Sequence, residues 1–353
     1  MMKSTVFFAD MVAHNEKQAL PSKVAKLCRK LNVESTFGKD ELIAIKVHFG
    51  EMGNTAFLRP DLLSPVIDAV RSSGAKPFLT DCNTLYKGSR TNAVDHQWCA
   101  AKHGFTYPVV DCPVIIADGL RGKDEKEITV GLKRCKTVKV GAAAMQADGM
   151  MVVSHVKGHD MTGMGGALKN VGMGLGSRAG KLDMHHEVSP QVVPDRCTAC
   201  GTCKRQCPSD AITITDKAFI DSDKCIGCGD CMAHCPSDAI WGGAGASTSV
   251  MEKIVEYCYG IMKGRENKFL FLSFVMDITP NCDCFNFSDA KLRPDIGVLA
   301  STDIVAIDQA AADLIAQGGD VLGKQHKVDY NVQMEYAEKL GLGSRSYELQ
   351  KLH

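Results

Sequence analysis

The sequence predicts an α/β protein: a doubly wound, mostly parallel sheet domain interrupted by a small α+β insert. Three observations carry that expectation. Through the first half, short apolar runs alternate with amphipathic stretches at helical spacing. From Val188 to Trp241 the texture changes to cysteines, prolines and very short strand-like runs. Beyond Trp241 the alternating rhythm resumes. The expected organisation is therefore an α/β domain over 1–187, an insert over 188–241 and the second part of the same domain over 242–353. Each flank is short of strands for a sheet of its own, which favours one interrupted domain over two.

Thr5–Ala9 and Leu42–Val47 read as parallel strands, because continuous apolar runs mark strands covered on both faces. Between them Lys17–Leu31 carries Leu20, Val24, Leu27, Cys28 and Leu31 on one helical face. Pro60–Arg71 is a second helix, with Pro60 suited to its first turn. Lys76–Thr80, Val114–Ala117 and Met150–Ser154 are further strands, and Asn92–His103 and Gly141–Ala147 further helices. After the insert come a helix at Val250–Met262 and strands at Phe269–Met276 and Ile296–Ala300. Asp303–Gln317 is an Ala-rich helix stopped by Gly318-Gly319.

Composition excludes several classes. The 353 residues include 41 basic and 41 acidic side chains, so no nucleic-acid footprint or polybasic membrane patch is expected. Aromatics, at 6%, are too sparse for a base-stacking surface. The most apolar stretch, Phe269–Val275, is too short to span a bilayer. The first residues lack the long apolar core of a signal peptide, so a cytoplasmic protein is expected. The oligomeric state is left open.

Sixteen cysteines are many for such a chain, and eight of them fall within 39 residues. Arg196–Ile212 (RCTACGTCKRQCPSDAI) and Lys224–Ile240 (KCIGCGDCMAHCPSDAI) match at ten of seventeen positions. Each copy is C-x2-C-x2-C-x3-C-P, the spacing of two-cluster bacterial ferredoxins and not of a zinc ribbon. Three cysteines in one tight loop hold three corners of a 4Fe–4S cube, and the fourth comes from the other copy. One cluster is therefore expected on Cys197, Cys200, Cys203 and Cys235, the other on Cys225, Cys228, Cys231 and Cys207. Between Gln191 and Trp241, seven Asp against five Lys plus Arg make the insert acidic, which favours low potentials and an oxygen-poor, anaerobic setting.

Three polar runs directly follow apolar strands, where open α/β sheets bind ligands. Lys46-Val47-His48-Phe49-Gly50-Glu51 offers Lys46, His48 and Glu51. Ser154–Gly174 offers His155, Lys157, His159, Lys169 and Asn170, in a Gly-rich stretch that reads otherwise as a connector. Its glycines ahead of Lys169 would free N–H groups to hold an anion at a helix N-terminus. Asp277–Cys284 offers Asp277, Thr279 and a Cys282-x-Cys284 pair, read either as a redox or metal pair or as two reduced cysteines in a loop. His155, Lys157, His159 and His48 are the catalytic candidates, histidine being the expected proton donor. Lys46, Glu51, Lys169, Asn170, Asp277 and Thr279 are the cofactor-binding candidates. Cys28, Cys82, Cys99, Cys112, Cys135 and Cys258 are isolated and read as packing residues. The methionines from Met145 to Met184 read as core filling.

On KVHFGE (46–51), SHVKGH (154–159), GGALKNVGMG (165–174), the ferredoxin repeat, DITPNCDC (277–284) and GVLASTDIVAIDQAAADL (297–314), the chain resembles the family named domain of unknown function 362. Members are described as iron–sulfur centre proteins, so the resemblance implies an α/β domain carrying a two-cluster ferredoxin module. Thr55-x-x-x-Arg59-Pro60 ahead of a helix is similar to nickel-pincer lactate racemases. The expected function is an oxidoreductase or electron-transfer protein, its clusters serving a small anionic substrate or cofactor, such as a flavin or deazaflavin, at the strand ends. A redox partner protein is expected as well. The alternative is a non-catalytic carrier, assembly or docking factor whose α/β domain binds a partner.

Overall fold

The computed structural model describes residues 3–86, 88–185, 190–225, 230–241 and 247–352. Its centre is an eight-stranded sheet in the order Tyr347–Lys351, Ser4–Asp10, Gly297–Ser301, Phe269–Val275, Gly149–His155, Leu42–Lys46, Lys76–Asp81, Val114–Ile116. All neighbours pair in parallel except at Gly297–Ser301, which is antiparallel to both of its neighbours. The physical reason is the connection. No helix lies between Val275 and Gly297, and without a crossover the chain returns antiparallel.

The sheet is buried on both faces. Along Leu42–Lys46, Ala44 joins one core while Ile43 and Ile45 join the other. Along Gly149–His155, Met150 and Val152 face one side, Met151 and Val153 the opposite one. One core is closed by the helices Leu20–Lys30 and Ser64–Ser72, the other by Ala167–Leu175, Ser247–Met262 and Ile304–Ala316. Each fully buried Ile, Leu or Phe contributes about 1.5–3 kcal/mol, so the two-sided packing is the main source of stability. The isolated cysteines at 28, 82, 99, 112, 135 and 258 are all free and buried, as packing residues should be.

Most elements fall within a residue or two of their sequence signals. The helix Ile304–Ala316 starts at Asp303, whose carboxylate accepts from Val305 N (2.8 Å) and Ala306 N (2.9 Å). The C-terminal strand, Tyr347–Lys351, and the hairpin of Glu125–Thr129 with Thr137–Gly141 lacked a readable signal, because both are half-exposed and polar.

The Gly-rich stretch is no connector. Lys157–His159 and Gly163–Gly165 form a buried hairpin, and Ala167–Leu175 a helix packed against the sheet. Its glycines serve close approach. A Cβ on Gly166 would collide with the Asp308 carboxylate, and one on Gly174 would lie 2.7 Å from Lys46 Nζ. The anion expected at this helix N-terminus is Asp308 itself: Ala167 N and Leu168 N donate to its oxygens at 2.7 and 2.9 Å. That corrects the reading of the N-terminus as a ligand site, since the protein fills it with its own carboxylate.

Burial pushes the Asp308 carboxyl up to about 6, with the two amides opposing. A raised carboxyl favours folding while protonated, so its contribution is full below the unfolded value near 4 and is lost as pH rises through 6. Asp308→Asn is therefore expected to flatten the pH dependence of stability between about pH 4 and 6. Asp308→Ala is expected to cost about 1–2 kcal/mol through the lost cap. Denaturant unfolding of both variants across that range checks this.

Within residues 190–241, Gln191–Val192 pairs antiparallel with Ile240–Trp241, so the two ends of the segment meet. Between them lie the hairpin Ile212–Ile214/Ala218–Ile220 and the short helices Thr202–Gln206 and Asp230–Ala233. The segment has a small core of its own, including Cys203, Ile212, Met232, Cys235 and Ile240, which also takes in Leu85 and Leu182 from the α/β part.

Candidate functional site

Strand order reverses between Leu42–Lys46 and Gly149–His155. Chain order runs outward from the first towards Val114–Ile116 and from the second towards Phe269–Val275. A crevice opens beyond the carboxyl ends of strands at such a point. Here it is a cavity of about 760 Å³, within the size range of small-molecule sites. Four loops line it: the one after Lys46 (His48, Glu51), the one after Asp81 (Tyr86, Arg90), the hairpin after His155 (Lys157, His159) and the loop holding Cys282 and Cys284. Lys169 and Asn170 close it from the helix behind.

Its base is a buried charge network. Lys46 Nζ sits 3.0 Å from Asp81 Oδ1 and donates to Asn170 Oδ1 at 2.7 Å. Burial lowers the Lys46 pKa against the pull of Asp81. Burial pushes the Asp81 carboxyl up, but Lys46 and the two nearby histidines outweigh it and hold it below the usual range. Asn170 Nδ2 in turn donates to Val153 O and Ser154 Oγ, both at 3.0 Å. Lys46 is itself fully buried, so it supports the cavity from below.

Arg90, 2% exposed, organises the next layer. Its Nε donates to Glu51 Oε2 (3.2 Å), one terminal nitrogen reaches His48 Nε2 (3.0 Å) and the other donates to Tyr86 Oη (2.9 Å). Glu51 also accepts from Ser89 N at 2.6 Å. Burial and then Arg90 push His48 down to about 3. His48 is thus a neutral acceptor near neutral pH, which corrects the expectation that it donates a proton.

His155 is held from both sides. Its Nδ1 lies 3.0 Å from both Asp283 oxygens and its Nε2 lies 2.8 Å from Met276 O. Both partners are acceptors, so the two ring nitrogens tie the Asp283 carboxylate to the backbone at Met276. Lys157 Nζ adds contacts to Asp283 Oδ2 (2.9 Å) and His155 O (3.0 Å). Burial pushes the Asp283 carboxyl up, but His155 and Lys157 hold it below the ordinary carboxylate range. The His155 ring is engaged in positioning the Asp283 turn.

Asp283 lies between Cys282 and Cys284, so this ion cluster pins the turn carrying both sulfurs. Lys169 Nζ stands 3.7 Å from Cys282 Sγ. Hydrogen bonding from Cys284 holds the Cys282 thiol well below its ordinary range, against burial and with help from Lys169 and His159. Burial and then Lys169 lower His159, whereas the two cysteines raise Lys169 against burial.

Three expected residues stay outside the cavity lining, namely Lys46 beneath it and Asp277 and Thr279 to one side. Asp277 pairs with Lys291 at 2.7 Å, and buried Thr279 donates to Asn281 O at 2.9 Å. Both hold the loop that delivers Cys282. Thr55 and Arg59 are exposed and do not line the cavity either. Asp81, Tyr86, Arg90 and Lys181 were missed by the sequence reading. Asp81-Cys82-Asn83-Thr84 follows a strand as the three chosen runs do, and that rule applied a fourth time would have found it.

In the cysteine-rich segment, Cys197, Cys200, Cys203 and Cys235 line one small cavity together. Ala218 N donates to Cys197 Sγ at 3.5 Å and Ala239 N to Cys235 Sγ at 3.2 Å. At the position equivalent to Ala239 in the first repeat, Ala211 N donates to Cys207 Sγ at 3.3 Å. Four sulfurs on one cavity with N–H groups aimed at them are a donor set suited to an iron–sulfur cluster. Cys207 and Cys225 are in no disulfide, Cys231 is buried, and Cys228 lies outside the described residues. Met232, next to Cys231, lines the large cavity.

Fold and site together define an α/β protein with a cation-rich cavity at its strand ends and a cysteine-rich segment packed beside it. The chain belongs to the family described as Domain of unknown function (DUF362), matched over residues 43–313. It is similar to the lactate racemase apoprotein from Thermoanaerobacterium thermosaccharolyticum, at 10% identity and TM-score 0.44, covering 90% of this chain and 58% of that one. It is also similar to a structural-genomics protein from Thermotoga maritima, at 8% identity and TM-score 0.42, covering 90% and 59%. The chain thus spans less than two thirds of either protein. No curated protein matches it. Among the described residues no helix is long and apolar enough to cross a membrane.

Proposed function

We propose that the chain is an iron–sulfur oxidoreductase whose insert, residues 188–241, serves an anionic molecule bound in the strand-end cavity. Cys197, Cys200, Cys203 and Cys235 would hold one 4Fe–4S cluster, and Cys207, Cys225, Cys228 and Cys231 the other. When bound, the clusters supply one-electron transfer at low potential. The carrying observation is Met232: the residue after Cys231 forms part of the cavity wall, so the insert and the cavity share a boundary.

This chain's residues bind and orient. Arg90, Lys157, Lys169 and Lys181 outnumber Glu51, Asp81 and Asp160 around the cavity, which suits a carboxylate or phosphate. Leu85, Leu182 and Met232 keep water from the boundary. A flavin or deazaflavin belongs to the same proposal as the organic occupant of the cavity.

Anaerobic purification tests the reading. Iron and sulfide of about eight each per chain are expected, with an organic chromophore released on denaturation. Iron and sulfide near four would overturn the two-cluster assignment. A full cluster complement with no bound molecule, and no effect of Lys169→Ala on electron transfer to anionic acceptors, would point to a non-catalytic carrier.

A further inference from the structure

His159, Cys282 and Cys284 come from two separate loops, yet one ring nitrogen and two sulfurs lie within 4.8 Å of one another. The iron–sulfur reading leaves all three unassigned. The geometry points to a mononuclear site for a borderline-soft divalent transition ion of the zinc, cobalt or nickel class, held by the Cys282 and Cys284 thiolates and the His159 imidazole, with its remaining coordination position open to the cavity.

The donor set argues for that class of ion. Two thiolates and an imidazole suit soft and borderline metals, whereas magnesium and calcium take oxygen. Three protein ligands with a free position are the pattern of reactive zinc sites, and closed structural sites use four. All three residues line the cavity, so the free position faces it.

The surroundings are built to support it. His159 Nδ1 lies 3.2 Å from Asp160 Oδ1 and faces the amides of Met161 (3.2 Å) and Thr162 (3.3 Å), contacts that fix the orientation of the ring. Cys284 N donates to Cys282 Sγ at 3.4 Å, which favours the thiolate. The turn between the sulfurs is fixed through Asp283, held by His155 at 3.0 Å and Lys157 at 2.9 Å, and Asp283 O accepts from Glu51 N at 2.9 Å. Ligands of a weakly held ion need such pre-organisation. Lys157 and Lys169 line the same cavity, Lys169 Nζ at 3.7 Å from Cys282 Sγ, so the fourth ligand is an anion, a carboxylate or phosphate oxygen entering from the cavity.

Cobalt(II) alone is the probe, added under reducing, anaerobic conditions to protein as isolated, with iron and sulfide measured in every sample. Binding of one equivalent per chain with a thiolate-to-cobalt charge-transfer band is expected. Cys282→Ser, Cys284→Ser and His159→Gln are each expected to weaken binding at least about tenfold, with iron and sulfide unchanged. Absence of the band at saturating cobalt would overturn the site. So would a band that survives in Cys282→Ser, which would place cobalt on the insert cysteines. Cys284 is the more exposed of the two sulfurs, so Cys284→Ser carries the test where Cys282→Ser fails to fold, and unchanged affinity there is equally fatal. Cobalt binding with no iron present overturns the cluster reading and leaves this site standing; full iron with no cobalt band does the reverse.

Discussion

Cys235→Ser is expected to lower the iron content from about eight to about four per chain, and adding Cys200→Ser is expected to lower it no further. Cys235 belongs to the second repeat, yet it shares its small cavity with Cys197, Cys200 and Cys203 of the first. If each repeat held its own cluster, the two substitutions would strike different clusters and the double variant would lose nearly all iron. Iron and sulfide analysis of the two single variants and the double separates these outcomes. The magnetic resonance spectrum of the reduced double variant should show one surviving signal. Cys235 follows the short helix Asp230–Ala233 and so reaches the first repeat's sulfurs.

Arg178→Met is expected to destabilise the junction between insert and α/β domain by about 3 kcal/mol, the low end for breaking a buried pair. Arg178 is 1% exposed, lies 2.6 Å from Asp230 Oδ1 and donates to Thr91 O. Its loss leaves Asp230 buried with only Lys123, at 2.5 Å and half in water, to balance it among the described residues. The Thr91 carbonyl loses its donor as well. The low end applies because Lys123 remains. Limited proteolysis and hydrogen exchange should show the insert opening first, while the sheet core keeps its protection. Unchanged exchange around Asp230–Ala233 would show that Leu85 and Leu182, and not the ion pair, hold the insert in place. Because Met232 lines the cavity, the same variant is expected to weaken anion binding there without touching a cavity cation.

Much of this molecule was legible along the chain. Leu42–Lys46, Gly149–His155 and Phe269–Val275 announced themselves as apolar runs, since a strand covered on both faces has no polar side to alternate with. Asp303 before an Ala-rich stretch marked a helix start by local capping alone. The cysteine repeat declared its spacing in 39 residues. The strand-end rule drew attention to His48, His155, Lys157, His159 and Lys169, all of which line one cavity.

Roles within that cavity were another matter. His48 and His155 look alike in sequence, but burial and then Arg90 at 3.0 Å push the first down, while the second is clamped between Asp283 and Met276 O. The helix N-terminus after Gly166 looked free until Asp308, 141 residues later, arrived to cap it. Cys282 and Cys284 were a pair of undecided meaning until the fold set His159 beside them.

The sequence by itself determined the buried strands of the central sheet, most helices, the cysteine spacing and which loops leave the carboxyl ends of strands, because each depends on residues a few positions apart. Only the tertiary structure decided which charges meet, which partners each histidine has, which helix end is occupied and which third residue joins Cys282-x-Cys284. Those depend on contacts between segments well separated in the chain, from the 42 residues between His48 and Arg90 to the 128 that separate His155 from Asp283. Charge state in a buried site follows from such neighbours, so it could be read only once they were in place.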